Sequence, residues 1–276
     1  MRIFNKVAIV GTGLIGGSMG LAIKKNKLAG SIVGFSRHES SIIKAKRLGA
    51  IDNGSTSLAV IKGADLVILA TPVGSIMDLA STISKIINKN CTVIDVGSTK
   101  EKIVLKLSKI FPNYVGTHPL AGSEKRGVAF ANPDLFNDSL CLLTPDKKTN
   151  KSSLLKVKKL WQGLGAKTLK VTAPEHDRIM ASVSHLPHAA AFALMNSVPG
   201  VFLKFSASGL KDTTRISASE PELWADIFLS NDRNILDALE LLENNLGRIK
   251  SALKNKNKNA LLKLLRKAKR IREKLK

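Results

Sequence analysis

A glycine-rich turn near the amino terminus constrains the fold of this chain more than any other feature. The apolar run Val7–Val10 predicts a β-strand, and it leads directly into a segment with the spacing G-x-G-x-x-G, starting at Gly11. In such a segment the first glycine permits a tight turn, the second lets a pyrophosphate approach, and the third allows close helix–strand packing. We therefore predict a Rossmann-type dinucleotide-binding domain, with these residues at the cofactor: Gly11, Gly13, Leu14, Ile15 and Gly16.

The first 172 residues alternate short β-branched runs with amphipathic segments. The predicted strands are Lys6–Val10, Ser31–Phe35, Leu66–Ala70, Thr92–Val96, Tyr114–Thr117, Leu140–Leu143 and Lys167–Val171. The predicted helices between them are Leu14–Lys25, Ser40–Leu48, Ser75–Ile87, Lys100–Ile110 and Ser152–Leu164. This alternation is typical of an α/β domain with a mostly parallel sheet covered by helices on both faces.

The strand pattern stops after Val171, and Pro174–Val198 predicts a helix that carries a proline in its first turn. We therefore expect a dinucleotide-binding domain over residues 1–172 and an all-α domain over residues 173–276. In that second domain, apolar residues repeat at spacings of four and three: Ile235, Leu239, Leu242, Leu246, Ile249 and Leu253. This stripe predicts a helix packed in a bundle or a coiled coil, either within its own domain or against a second subunit. The segment Asn255–Asn259 should break it before a final basic helix, Ala260–Leu275.

The net charge of +23 is concentrated at the carboxyl terminus, where residues 248–276 contain 13 Lys and Arg and one acid, Glu273. Such a tail can bind nucleic acid, or it can be a solvated helix face. It lacks aromatic residues for base stacking, so we do not expect nucleic-acid binding, and the positive charge in the rest of the chain fits an anionic small-molecule ligand equally well. No apolar run approaches the roughly 18 residues that span a bilayer, and no signal peptide is visible. The two cysteines, Cys91 and Cys141, lie in apolar runs and should be buried thiols. We expect a cytoplasmic protein with no membrane partner.

The end of the second predicted strand bears on the choice of cofactor. An acid at this position holds the ribose 2′-hydroxyl of NAD, whereas here Ser36 and Arg37 occupy it and no acid follows before Glu39. A hydroxyl and a guanidinium suit a 2′-phosphate, so the sequence favours NADP over NAD. The alternative is that Arg37 merely lies over the adenine.

Two further strand ends should lie beside the nicotinamide. Thr71 and Pro72 follow one strand, and Ser98 follows the next. Ser98 could donate a hydrogen bond to the substrate or the nicotinamide, or it could cap the following helix.

A histidine, His118, stands at the end of the next predicted strand and opens the segment His118-Pro-Leu-Ala-Gly122. Ligands of open α/β sheets bind at the carboxyl ends of strands, and imidazole, with an ordinary pKa near ~6.5, suits a general base. The alternative is a histidine that merely caps a turn.

The helical domain adds His185 and His188, which lie three residues apart and therefore on one helix face. No cysteine or carboxylate of matching spacing accompanies them, so we predict no metal site. Arg215 is a candidate bidentate clamp for a substrate carboxylate. An ionic network around the cleft is expected from three further residues: Lys211, Asp212 and Glu124.

Five motifs in order resemble the prephenate/arogenate dehydrogenase family over essentially the whole chain. They are Gly-x-Gly-Leu-Ile-Gly-Gly-Ser, Gly-Thr-His-Pro-Leu-Ala-Gly-Ser-Glu, Ser-His-Leu-Pro-His, Lys-Asp-x-Thr-Arg-Ile and Pro-x-Leu-Trp-x-Asp-Ile. The resemblance implies an NAD(P)-dependent oxidative decarboxylation of prephenate to 4-hydroxyphenylpyruvate in tyrosine biosynthesis. Arogenate is the alternative substrate, and a β-hydroxyacid dehydrogenase with a catalytic lysine is a further alternative.

The same resemblance implies roles for single residues. His118 would bind the ring hydroxyl and assist its proton loss as hydride leaves, supported by Ser98. Arg215 would bind a substrate carboxylate, and His188 and His185 would position the side chain. The helical domain would form the family's homodimer.

Overall fold

Within the residues that the computed structural model describes, 2–122 and 125–275, eight strands form one sheet. The strands are β1 (Phe4–Val10), β2 (Ala29–Phe35), β3 (Asn53–Ser55), β4 (Leu66–Leu69), β5 (Thr92–Asp95), β6 (Tyr114–Pro119), β7 (Leu140–Thr144) and β8 (Lys167–Lys170). Their order is β3-β2-β1-β4-β5-β6-β7-β8, and neighbouring strands are parallel except for β6 and β7. The predicted mostly parallel sheet is confirmed.

Helices cover both faces of this sheet. Those of the first 172 residues are α1 (Leu14–Lys25), α2 (Glu39–Arg47), α3 (Val73–Ile86), α4 (Glu101–Ile110) and α5 (Lys151–Gly163). Side chains of β1 alternate between two apolar clusters, with Val7 and Ile9 in one and Ala8 and Val10 in the other. The first cluster includes residues of α1, α2 and α5, and the second includes residues of α3 and α4. The period of two along β1 therefore assigns each helix layer to one face.

The glycine turn between β1 and α1 has the geometry that its sequence predicts. Gly11 has a φ of 103°, and a Cβ there would lie 2.6 Å from the carbonyl oxygen of Ala70. A Cβ on Gly16 would lie 2.1 Å from the carbonyl oxygen of Gly11. Both positions therefore require glycine, the first for the turn and the second for the close packing of α1.

The remaining helices follow β8. They are α6 (Ala173–Met180), α7 (Leu186–Asn196), α8 (Ser208–Thr214), α9 (Pro221–Ser230), α10 (Asp232–Lys254) and α11 (Lys258–Arg272). The prediction of one regular helix over Pro174–Val198 is wrong in one respect, because a π-helical turn, Ala181–His185, separates α6 from α7. Pro187 has no N–H, and its ring would clash with the carbonyl of Val183 in a regular helix. The wider turn accommodates that proline and changes the rotation of α7 relative to α6.

By compactness the chain divides into Met1–Asn231 and Asp232–Lys276, so α6 to α9 group with the sheet. The boundary at residue 172 stays a prediction. In the second unit, α10 ends at Lys254, where the sequence predicts a break after the apolar stripe. Asn257 then caps α11 by accepting a hydrogen bond from the Ala260 N–H. Leu246 and Leu253 of that stripe are 55% and 60% exposed. Among the described residues, every helix is too short or too polar to cross a membrane.

Candidate active site

A cavity of about 770 Å³ lies in the first unit, at the carboxyl edge of the sheet. It brings together residues from separate predicted motifs: Gly13, Leu14, Ile15, Thr71, Pro72, Ser98, His118, His185, His188 and Arg215. The strand ends β1, β4, β5 and β6 supply one side of the cavity, and the segments after β8 supply the other.

Other predicted site residues lie outside the lining of this cavity. Ser36 and Arg37 follow β2 on the same sheet edge, where the Gly11 N–H donates a 2.9 Å hydrogen bond to the Phe35 carbonyl. Lys211 and Asp212 are exposed on α8. Glu124 lies outside the described residues. Their assignments therefore stay predictions.

The sheet side of the cavity fits a dinucleotide. Apart from Gly13 itself and its chain neighbours, no heavy atom of the described residues lies within 4 Å of the position that a Cβ on Gly13 would take, so a phosphate can approach the backbone there. The first turn of α1 carries no acid that would neutralise the positive end of the helix. Thr71 Oγ1 is buried beside this turn and has no hydrogen-bond partner in the described part of the chain. A bound ligand can satisfy that hydroxyl.

His118 lies on β6 between the two sides of the cavity. Its Nδ1 is 2.8 Å from Nε2 of His176, a residue of α6. Burial lowers the pKa of His118 well below its ordinary value, and His176 and the Lys100 ammonium lower it further. The imidazole is therefore neutral at pH 7, which is the state that can accept a proton.

His176 and Asp177 were missed by the sequence analysis. His176 Nδ1 lies 2.7 Å from Asp177 Oδ1, and both side chains are buried. The Asp177 carboxylate also accepts the backbone N–H groups of Lys100 at 2.7 Å and Glu101 at 2.9 Å, at the start of α4. Thr172 caps α6 and so places this His-Asp pair in the first turns of the helix, but no local spacing relates the pair to His118 or Lys100.

The loop that carries Ser98 is fixed by a buried ion pair. Lys100 Nζ lies 2.5 Å from Asp95 Oδ2 and also donates to the carbonyls of Gly97 and Thr99, at 2.7 and 3.1 Å. Lys100 and Asp95 are both fully buried. The alternative role of Ser98 as a helix cap is wrong, since α4 begins at Glu101 with Lys100 in the cap position. Ser98 instead lines the cavity.

His188 and Trp224 form part of the helical side. Their rings are stacked, with centroids 3.5 Å apart and planes inclined by 20°. His188 Nδ1 donates to the carbonyl of Ser184 at 3.0 Å, so Nε2 of the neutral ring is an acceptor. Burial lowers the pKa of His188, and the nearby Arg215 guanidinium also lowers it.

His185 is the opposite tautomer from His188. The Asn231 amide nitrogen donates to the Asp177 carbonyl at 2.8 Å, and the same nitrogen lies 3.1 Å from His185 Nδ1. Nδ1 of His185 is therefore the acceptor, and Nε2 carries the proton. Burial lowers the pKa of His185 to about 4.

One ion pair at the cavity was also missed. Arg126, from the loop after β6, lies 2.5 Å from a carboxylate oxygen of Glu220 at the start of α9, and both residues line the cavity. Their side chains are 62% and 32% exposed. A pair with this exposure connects two segments but contributes little stability.

A Rossmann sheet, an open glycine turn and a neutral histidine facing a helical segment together define a nicotinamide-nucleotide-dependent oxidoreductase. Comparison with family models makes the class specific. Residues 19–170 match the nucleotide-binding domain of prephenate dehydrogenase, and residues 172–267 match its dimerization domain. The chain belongs to the prephenate dehydrogenase family, which confirms the predicted fold class and family and sets aside the β-hydroxyacid dehydrogenase alternative.

Individual relatives agree with this assignment. The prephenate dehydrogenase of Bacillus subtilis (strain 168) is 34% identical over 278 residues, which cover 97% of this chain and 75% of that protein. The structure of Aquifex aeolicus prephenate dehydrogenase with hydroxyphenyl propionate and NAD+ is 37% identical, with a TM-score of 0.93, 99% of this chain covered and 98% of that one. Synechocystis arogenate dehydrogenase is 27% identical, with a TM-score of 0.83 and coverage of 98% and 99%.

Four buried or partly buried histidines predict how stability depends on pH. The folded-state pKa values of His118, His176, His185 and His188 all lie below the ordinary value of 6.5. As the pH falls below that value, the unfolded chain binds protons that the folded chain does not, so stability is lost. The loss is about 1.4 kcal/mol per histidine for each pH unit between its two pKa values.

We therefore expect Tm to fall as the pH is lowered from 7.5 to about 5.5, above the ordinary range of carboxylate titration. His185→Gln should reduce the slope of Tm against pH, whereas His38→Gln, which changes an exposed histidine, should leave the slope unchanged. Differential scanning calorimetry measures both slopes. A Tm that stays constant or rises on acidification would contradict the buried neutral histidines.

Proposed function

We propose that this chain converts prephenate to 4-hydroxyphenylpyruvate by oxidative decarboxylation, with a nicotinamide nucleotide as the oxidant. The observation that supports this most is the position of His118: its neutral imidazole lies in the same cavity as the open Gly13 turn and the Arg215 guanidinium. The three features supply a proton acceptor, a cofactor site and a cation for an anionic substrate.

His118 would accept the proton of the ring hydroxyl through Nε2, because its Nδ1 is engaged by His176. The cofactor, when bound, supplies the acceptor for the hydride that leaves the carbon bearing this hydroxyl. Ser98 lies on a loop fixed by the Asp95–Lys100 pair and can donate a hydrogen bond to the same oxygen. Loss of carbon dioxide then makes the ring aromatic, which drives the reaction forward.

The side-chain end of the substrate would lie against Arg215, His185 and His188. Arg215 binds a carboxylate, and the Nε2–H of His185 can donate to a keto or carboxylate oxygen. The second candidate substrate is arogenate, which carries an amino group in place of the keto group. The acceptor Nε2 of His188 suits that amino group, and the likeness to an arogenate dehydrogenase at a TM-score of 0.83 supports the same candidate.

We further propose NADP as the preferred cofactor and a homodimer as the working form. The first rests on Ser36 and Arg37 at the end of β2, with Glu39 already inside α2. The second rests on the match of residues 172–267 to a dimerization domain and on the exposed Leu246 and Leu253 of α10.

The function is tested by steady-state kinetics with prephenate and arogenate, each with NAD and NADP. Formation of the reduced nicotinamide with prephenate is expected, with a higher kcat/KM for NADP. Absence of turnover with all four combinations would refute the proposal, and a higher kcat/KM with arogenate would establish the second candidate instead.

The cofactor proposal predicts the effect of Ser36→Asp. A carboxylate at the end of β2 would repel a 2′-phosphate and accept a hydrogen bond from a 2′-hydroxyl. We expect the KM for NADP to rise at least about tenfold, since a charged hydrogen bond is worth about 1.5–3 kcal/mol. The KM for NAD should fall, and kcat with either cofactor measures the integrity of the site. A wild-type preference for NAD would contradict the proposal.

Replacing the proposed base gives a kcat prediction. His118→Asn removes the proton acceptor, and kcat should fall by about 10²–10⁴-fold, the usual contribution of a general base. The substrate KM should change little, because His118 acts mainly as the proton leaves. Circular dichroism establishes that the variant is folded, and near-normal turnover would refute the role.

Arg215→Ala should act mainly on substrate binding. Loss of a charged hydrogen bond of about 1.5–3 kcal/mol predicts a rise in substrate KM of at least about tenfold. Arg215→Lys is the matched control, because it keeps the charge but loses the bidentate geometry, and its KM should be intermediate. An unchanged KM in the alanine variant would remove Arg215 from the site.

A further inference from the structure

A chain of hydrogen bonds leads from His118 away from the cavity toward buried residues. His118 Nδ1 meets His176 Nε2 at 2.8 Å, and His176 Nδ1 meets Asp177 Oδ1 at 2.7 Å. We propose that His176 and Asp177 are positioning residues: they hold neutral His118 in the tautomer with the proton on Nδ1 and keep Nε2 as a free base toward the cavity. This inference rests on the proposed role of His118 in proton removal.

The direction of this chain follows from counting protons. A neutral imidazole has one N–H and one acceptor nitrogen, and a carboxylate has acceptors alone. His176 must therefore donate from Nδ1 to Asp177, which makes its Nε2 an acceptor. His118 must then donate from Nδ1, which leaves the lone pair on its Nε2. The opposite direction would set a nitrogen lone pair of His176 against a carboxylate oxygen of Asp177 at 2.7 Å.

The surroundings of Asp177 provide hydrogen-bond donors to both of its oxygens. Each of its oxygens already accepts a backbone N–H, Oδ1 from Lys100 and Oδ2 from Glu101. Oδ1 also accepts from His176 Nδ1, so a proton on that oxygen would displace one of its two bonds. The site is also the N-terminal end of α4, where the helix dipole favours a negative charge.

The negative charge also matters after the proton has moved. When His118 accepts the proton it becomes an imidazolium, and its Nδ1–H still donates to His176. Lys100 faces it with like charge, and Asp95 pairs with Lys100 at 2.5 Å. Asp177 supplies the compensating charge through His176, which is 0% exposed and therefore not screened by water.

Two substitutions of His176 separate positioning from mere packing. Gln can place its amide oxygen where Nε2 of His176 lies and still accept the Nδ1–H of His118, whereas Leu cannot. We expect His176→Leu to lower kcat by about 10²–10⁴-fold with little change in KM. His176→Gln should retain a kcat at least about tenfold higher than the leucine variant, the worth of one hydrogen bond of about 1.4 kcal/mol.

The tautomer itself is measured by ¹⁵N NMR of the full-length protein labelled in its histidine rings, near neutral pH and without substrate. Because the chain contains five histidines, each ring is assigned by single substitution. We expect His118 to be protonated on Nδ1 in the wild type and in His176→Gln, and to shift toward Nε2 in His176→Leu. If the leucine variant does not fold, the wild type and the glutamine variant still decide the tautomer.

Two results would overturn the inference: a wild-type His118 protonated on Nε2, or equal kcat values in folded leucine and glutamine variants. Failure of the proposed function is a separate outcome. In that case the wild type turns over neither prephenate nor arogenate with either cofactor, while the NMR measurement still reports the tautomer of His118.

Discussion

The geometry of the site depends on the hydrogen bonds that the carboxylate of Asp177 accepts. It joins α6 to the start of α4 through the N–H groups of Lys100 and Glu101, and it holds His176 against His118. Helix α4 follows the Ser98 loop, and His118 lies on the strand after α4. One side chain from the segment after the sheet therefore sets the relative positions of the loop, the helix and the histidine.

Lys100 couples this contact to a second one. Its backbone N–H is bound by Asp177, and its side chain forms the buried pair with Asp95 and fixes the carbonyls of Gly97 and Thr99. A buried ion pair adds little net stability, but removal of one partner is costly because the other charge remains buried. The contribution of this pair is therefore geometric. Lys100 is held both by Asp177, through its backbone, and by Asp95, through its side chain, and these two contacts fix the loop that presents Ser98.

Local patterns in the sequence predicted the parts of the molecule that local physics determines. The strand runs, the glycine turn and the position of His118 at a strand end all follow from short-range periodicity and turn chemistry. The three-residue strand β3 was missed because Asn53–Ser55 has no apolar side chain to form a pattern. The π-helical turn ahead of Pro187 was missed because the sequence analysis considered only Pro174, in the first turn, and not the proline within the predicted helix.

His176 and Asp177 were missed for a different reason. His176 contacts His118, which lies 58 residues earlier in the chain, and Asp177 contacts Lys100, which lies 77 residues earlier. No spacing within one helix or strand indicates such contacts. Local reasoning also failed at Ser98, where the predicted role of a helix cap was chemically reasonable but is not what the structure shows. A carboxylate from a distant segment performs that function instead, and tertiary structure overrides the local preference.

The two ends of the cavity differ in how well they tolerate amino-acid substitutions. At the reacting end, His118, His176, Asp177 and Lys100 share hydrogen bonds in a buried network, so a change in one leaves another unsatisfied. At the other end, Arg215 and Arg126 are exposed and Glu220 is partly buried, and substitutions at such positions cost little stability. Relatives described as prephenate and arogenate dehydrogenases share the fold of this chain, with TM-scores of 0.93 and 0.83. The two substrates of the proposed function have the same reacting ring and differ in the side chain, so we expect discrimination between them at the residues proposed for the side-chain end, Arg215, His185 and His188.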